Sequence, residues 1–488
     1  MVKTSPFAGW MGLALLIALL AVAWGSVLPA RGMLLWDEAE YAVVGRELLR
    51  GHGFTINGEA NVLRPPVPAL VEAAALAVTP SDTDVAARLP ALLLTLACIG
   101  LTGWALARTV DPATGLAAAA CLGAMPFAAD LATTALSEPP FLVLFTAAIW
   151  QLHFALGGRS RAWLWSGALA ALALLTRYTG LLFVPIAGAM IVASHWLGRA
   201  AIRANVGPSY RRAQWLAVGV ALLVLAPWLI REQLVAGSPF AGFRIAARLV
   251  PNWADMPWHF YLTTLPSVVS VPVVALAALG AFVTVRRRLS AGWTCLIVLG
   301  FVIGWHSRYG YKDPRFIAAS LPFLAALAGI GAAQVILPAL AARTSRNVAN
   351  GIGVTALAAL LVWGALAQQT RIRAARTLGD PTFHQAMTEL HVRSSPTSLV
   401  LGSSGPQIAW YADRTVRAFP ERADALDAAL DGTEWAVIVN FERGQPAYVN
   451  DLLRRLRRED ADRGDAYLAR DGTFQTVIAR SSLLRSPR

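Results

Sequence analysis

The stretch LWDEAEYAVVGRELLRGHGFTINGEANVLRPPVP, residues 35–68, decides how the whole chain is read. It follows directly on the first long apolar run, residues 9–29, and is charged at both ends: Asp37 and Glu38 near its start, Arg64 before Pro65-Pro66 near its finish. Charged groups at a membrane edge are costly unless they serve something. The stretch reads as the first loop on the far side of a membrane, holding a catalytic carboxylate and part of an anion site. Residues 37–50 have the pattern of a short amphipathic helix, with Ala39, Tyr41 to Val44 and Leu48 on one side and Arg46, Glu47 and Arg50 on the other. Gly51, Gly53 and Gly58 then break the chain. Pro65, Pro66 and Pro68 open a second apolar segment, 67–79, too short to span a bilayer and so expected at its interface. The first outer loop as a whole takes residues 30–84.

Outward from that loop the chain is apolar. It is 15% charged, against roughly a quarter for soluble domains. Apolar runs recur near 85–107, 113–129, 138–156, 162–176, 179–197, 214–231, 269–285, 291–306, 317–338 and 350–368. With the first, a retained signal-anchor behind Lys3, they predict a polytopic α-helical membrane protein of about 11 transmembrane helices. Alternate connectors are short and basic: Arg108; Arg159 and Arg161; Arg199, Arg203, Arg211 and Arg212; Arg286 to Arg288; Arg343 and Arg346. The positive-inside rule places them, and the N-terminus, in the cytoplasm. An odd number of spans then leaves the C-terminus outside. The opposite connectors, 30–84, 130–137, 177–178, 232–268 and 307–316, carry the conspicuous carboxylates and isolated arginines.

The net charge of +13 sits at span ends, where lipid phosphate and topology explain it better than nucleic acid does. Cys98, Cys121 and Cys295 all fall in apolar runs, which indicates neither disulfides nor a zinc site. Lys3 and Lys312 are the only lysines; arginine offers a planar fork suited to phosphate.

After about residue 372 charge rises and the apolar runs shorten. SLVLGSS (398–404), PQIAWYA (406–412) and RTVRAF (414–419) form a strand–helix–strand pattern; EWAVIVNF (434–441) and TFQTVIA (473–479) read as strands and 446–458 as a helix. The expectation is a membrane domain over 1–371 and an extracytoplasmic α/β domain over 372–488. Asp413, Arg414 and Glu442 look like ordinary surface charges.

The outer connectors bring together acids and cations. Asp37, Glu38 and Glu138 (in SEPPFLVLF) are the acids; Glu138 could be no more than a first-turn helix charge, and Asp37 no more than a cap of the helix at 37–50. The cations are Arg64, Arg177 in LLTRYTGLL, Arg231, and the set in WHSRYGYKDPRF (305–316): Arg308, Tyr309, Tyr311, Lys312 and Arg315. A single arginine there could snorkel to headgroups. Grouped on one face, guanidiniums and tyrosine hydroxyls suit a phosphate. A carboxylate beside a lipid-phosphate site describes glycosyl transfer from a polyprenyl-phosphate sugar. The leaving phosphate needs cations but no strong acid, and the acceptor hydroxyl needs a general base. A single displacement inverts the anomeric centre.

In their order, WDEAEYA, then RPP, then SEPP, then TRYTG, these residues resemble the GT-C glycosyltransferase superfamily. The similarity is to the protein O-mannosyltransferase-like branch, which includes the lipid A aminoarabinose transferases, and it covers roughly residues 30–330. It implies a GT-C architecture with Asp37 as catalytic aspartate, Glu38 as its partner and Glu138 as a second catalytic acid. It also implies Arg64, in a position where relatives often have lysine, as a carrier-phosphate contact, with Tyr309, Tyr311 and Arg315 in the phosphate-contacting region. Glu40 stands where the lipid A branch has arginine, which argues against that acceptor. Some relatives need a divalent cation, which Asp37 and Glu138 could hold; no other cofactor is implied. The implied partners are a polyprenyl-phosphate sugar donor, a glycolipid, polysaccharide or protein acceptor of the cell envelope, and membrane lipids, without nucleic acid. A transporter or flippase for a lipid-linked sugar is the alternative; it predicts charges buried mid-span and broken helices.

Overall fold

The computed structural model describes residues 6–79, 82–197, 208–249, 255–377, 381–442, 445–456, 465–471 and 474–485. Arg199 and Arg203 of the expected basic connectors lie outside the described residues. Two compact units divide the chain. One comprises Met1–Leu28, Val62–Pro68 and Arg88–Ile372; the other comprises Pro29–Asn61, Ala69–Ala87 and Arg373–Arg488.

The first unit is helical. Among the described residues eight helices are long and apolar enough to cross a membrane: Gly9–Ala30, Asp84–Thr109, Glu138–Leu156, Tyr178–Trp196, Tyr210–Ala236, Ser290–Ser307, Pro314–Ala341 and Asn347–Gln369. The chain is built as a multi-pass membrane protein. On Tyr210–Ala236 the side chains of Leu222, Leu223 and Leu234 stay exposed, a surface suited to lipid.

The count differs from the expected eleven because three apolar runs are not single straight spans. The run at 113–129 becomes Pro112–Gly123 and Pro126–Ala132, bent by 74°. Pro126 enforces the break, since the residue before a proline is driven out of the helical region, and Met125 sits at φ −66°, ψ 129°. The carbonyls freed there are not left bare: Gln368 Nε2 donates to Gly123 O at 3.1 Å and Met125 O at 3.0 Å, while its Oε1 accepts from Trp24 Nε1 at 3.0 Å. The run at 269–285 becomes Phe260–Val269 and Val271–Arg287, bent by 113° around Ser270 at φ 84°. The run at 162–176 forms Ser160–Leu174, 15 residues long, short of the roughly 17–25 that a bilayer requires. If each bent pair is one span the total rises to 10.

Small residues let these helices touch. A Cβ at Gly280 would stand 1.9 Å from Leu327 O, and one at Gly331 would stand 2.2 Å from Leu276 O, so Val271–Arg287 and Leu321–Gly331 cross backbone to backbone.

The second unit holds a five-stranded mixed sheet in the order Thr415–Arg417, Leu399–Gly402, Trp435–Val439, Phe474–Arg480, Ala466–Asp471. The first three run parallel and the last two pairings are antiparallel. The strand at 466–471 was not expected from the sequence. The helix Gly405–Ala412 links two parallel strands as the pattern predicts, and Ala447–Arg455 is the helix expected at 446–458, whose last two residues lie outside the described ones. Leu401, Phe419, Leu430, Ala436, Ile438 and Val449 are part of its core. The same unit contains the helices Trp36–Leu49 and most of Pro66–Val78 from the first outer stretch.

Candidate functional site

The helix Trp36–Leu49 starts at Leu35, which has no polar atom to cap it. Glu38 supplies the missing contact from inside the first turn: its Oε2 accepts the Leu35 N–H at 2.8 Å. This is the reciprocal half of a capping box. Glu38 is 1% exposed, and Glu40 is buried with Asn61 Nδ2 donating to its Oε1 at 3.0 Å. Of the three acids, Asp37 alone keeps partial exposure. Beneath the helix lies Glu72, buried, with no hydrogen-bond partner for its Oε2. Burial, and then the charge of Glu38, push the Glu72 carboxyl well above its ordinary value. The sequence signal for Glu72 was a lone acid in an otherwise apolar segment, and it went unread.

Glu138 opens the helix Glu138–Leu156 and is 1% exposed. Its Oε1 lies 2.6 Å from Arg177 Nη1, which also donates to Ser137 Oγ at 2.7 Å. Arg177 sits in the turn that ends Ser160–Leu174. That turn also holds the segment bearing Arg64: Val67 N–H donates to Leu175 O at 3.0 Å and the Tyr178 hydroxyl to Leu63 O at 3.3 Å. Gly242 fits the same spot because a Cβ there would stand 2.2 Å from the Tyr178 hydroxyl and 2.3 Å from Val62 O. The fold thus brings the Arg64 segment, Arg177 and Glu138 to one place.

The basic turn at 305–316 packs against the Glu138 helix through residues Pro314–Ser320. Arg308 stacks over the Trp305 ring, 3.6 Å from its centroid, with the Tyr309 ring 5.6 Å away. Arg315 Nε lies 3.4 Å from Asp313 Oδ1, and the Tyr311 ring packs edge-on against Phe316. Lys312 differs from the rest. It is buried, and its ammonium donates to Met256 O at 2.7 Å and to the Tyr309 carbonyl. Its charge is turned to backbone and frames the turn.

Asp413 and Arg414 are not ordinary surface charges. Arg414 is buried and donates to the carbonyls of His391, Ser394, Ala412 and Asp413 and to Ser394 Oγ. Asp413 Oδ1 lies 2.8 Å from Arg50 Nη1 and 3.1 Å from Arg46 Nη2. The hydrogen bond from Arg50 holds its carboxyl below the ordinary value.

Glu138 already faces a guanidinium at 2.6 Å, and among the described residues no three His, Cys, Asp or Glu side chains are grouped to hold an ion; two carboxylates make a thin set for a hard cation.

The fold is that of the GT-C glycosyltransferases. Residues 63–230 match the family of dolichyl-phosphate-mannose-protein mannosyltransferases. Among solved structures the chain is similar to ArnT from Cupriavidus metallidurans bound to undecaprenyl phosphate: TM-score 0.74 at 16% identity, over 98% of this chain and 99% of that one. It is also similar to the Archaeoglobus fulgidus oligosaccharyltransferase in its apo form, with TM-score 0.58 at 12% identity, over 88% of this chain and 69% of that one. A third likeness is to the arabinofuranosyltransferase AftD from Mycobacteria, with TM-score 0.53 at 15% identity, over 96% of this chain and 39% of that one. At these identities the likeness establishes the fold. No curated protein sequence matches the chain.

Proposed function

We propose that the chain is an integral-membrane, inverting glycosyltransferase. It moves a sugar from a polyprenyl-phosphate donor to a hydroxyl of a glycolipid, polysaccharide or protein on the outer face of the cytoplasmic membrane. The observation that carries the reading is the end-to-end likeness to a structure whose ligand is undecaprenyl phosphate. It is supported by the partial exposure of Asp37 at a helix start, next to two acids that are buried.

In the proposed reaction the Asp37 carboxylate accepts the proton of the acceptor hydroxyl as that oxygen attacks the anomeric carbon. The bond from that carbon to the phosphate oxygen breaks, and its electron pair leaves with the lipid phosphate. Arg64, Arg308 and Arg315, with the hydroxyls of Tyr309 and Tyr311, stabilise the charge gathering there. Glu38 caps the helix that presents Asp37. Glu138 holds Arg177 in place beside the Arg64 segment. Asp37→Asn, assayed in membranes supplied with a polyprenyl-phosphate sugar, is expected to lose about 10²- to 10⁴-fold in turnover; full activity would remove the base assignment.

The outer-face assignment has its own check. The native cysteines are buried and Arg422 is exposed, with 81% of its side chain open to solvent. An Arg422→Cys variant is expected to react with an impermeant maleimide added outside intact cells. Labelling only after the cytoplasm is opened would reverse the topology.

The two bent helix pairs favour a second reading, a flippase for a lipid-linked sugar. Movement of a labelled donor across proteoliposomes that lack any acceptor would support it; donor turnover strictly dependent on acceptor supports transfer.

A further inference from the structure

One hydroxyl ties the start of the Asp37 helix to the C-terminal residues of the same unit. Tyr411, in the helix Gly405–Ala412, accepts the Leu34 N–H at 2.7 Å and donates to Asp84 Oδ2 at 2.6 Å. Its neighbour Trp410 donates through Nε1 to Asp84 Oδ1 at 3.0 Å, so one dipeptide occupies both oxygens of that carboxylate. The Tyr411 ring packs edge-on against Phe383 and His384, with centroids 6.0 and 4.5 Å away. The hydroxyl is therefore held from both sides. Leu34 and Leu35 provide consecutive backbone donors leading into the helix. The second is satisfied by Glu38 from within, the first by Tyr411 from without.

A second contact fixes the same two helices farther along. Arg46 donates to Ala409 O at 2.6 Å and Trp410 O at 3.1 Å, and its guanidinium lies over the Trp410 ring at 5.2 Å. With both ends tied, the helix cannot slide or rotate without breaking buried hydrogen bonds.

We propose that Tyr411 is a positioning residue for Asp37: through Leu34 and Asp84, its hydroxyl sets where the first helical turn presents the carboxylate. The role rests on the transferase reading above. Displacing a general base by about 1 Å can cost about 100-fold in rate, so a hydroxyl bonded to the backbone three residues before the base can matter without touching substrate.

The test uses the full chain in membranes, with Tyr411→Phe, which keeps the ring and removes the oxygen, and Asp84→Asn, which keeps the shape and weakens the anchor. Two quantities are read: hydrogen–deuterium exchange of residues 33–38, and initial rates with a polyprenyl-phosphate sugar. Both variants are expected to speed exchange at 33–38 and lower kcat about tenfold, with the donor KM within about twofold. Arg480→Gln, which breaks the Arg480–Glu434 pair in the same unit, is expected to change neither and so controls for general loosening. Unchanged exchange at 33–38 would overturn the proposal, as would faster exchange with kcat intact. A wild-type chain that transfers no sugar while exchange still responds would overturn the transferase reading, and the positioning role with it.

Discussion

At the scale of residues, the chemistry depends on which acid is open to solvent. Three carboxylates stand within four positions of each other at 37–40, and sequence spacing cannot rank them. Burial does: Glu38 and Glu40 are inside and hydrogen-bonded, while Asp37 remains partly open. Glu138 was legible as an acid at a span start; its ion pair with Arg177 was not, because the partner is 39 residues away and only helix packing brings it near. Removing one member of a buried pair leaves the other charge uncompensated, at a cost of about 3–5 kcal/mol. Arg177→Met is therefore expected to lower the thermal midpoint sharply. The double variant Glu138→Gln/Arg177→Met should recover much of that loss without restoring transfer. Equal stability of the single and double variants would mean that the pair carries no coupling.

At the scale of elements, hydropathy located the helices well and their breaks poorly. Eight of the eleven apolar runs are helices of spanning length, because about twenty apolar residues have few alternatives in lipid. The bends at 74° and 113° were marked by Pro126 and by Ser270 before Pro272, signals that the hydropathy of a whole run averages away. The hairpin Thr55–Ile56 with Glu59–Ala60 turns on Asn57-Gly58, both at positive φ. That dipeptide is a strong hairpin signal, and reading the glycine merely as a breaker missed it. Its Asn57 Oδ1 accepts the Val416 N–H at 3.1 Å, a link no local pattern announces. The close crossing at Gly280 carries its own expectation. Gly280→Val would put side-chain carbon where Leu327 O lies, so the variant should express poorly or unfold at markedly lower temperature, while Gly188→Ala, with open space around it, should not. Fluorescence-detected thermal unfolding in detergent separates the two.

At the scale of the whole molecule, the sequence suggested a membrane part followed by an outer part. The compact units group residues 29–61 and 69–87 with 373–488. Composition could mark the change near 372, but it carries no information on what the first outer stretch packs against. The Arg50–Asp413 pair is one of the joints, and its charge gives a pH dependence. Asp413 is depressed below its ordinary value of 3.8 by the hydrogen bond from Arg50. A depressed acid stabilises the fold above its unfolded pKa, and that stability is lost as pH falls through the folded value. Backbone protection of residues 46–50, corrected for intrinsic exchange, should hold from pH 7 to about 4 and weaken below it; Asp413→Asn should flatten that dependence.

The interleaving also sets an order of events during synthesis. Tyr411, Asp413 and Val416, to which residues 29–61 are tied, leave the ribosome 359 to 377 residues after their partners. A nascent chain must keep residues 29–61 half-assembled until residues 411–416 emerge. A nonsense codon near residue 400 would therefore spoil the front of the protein along with its tail.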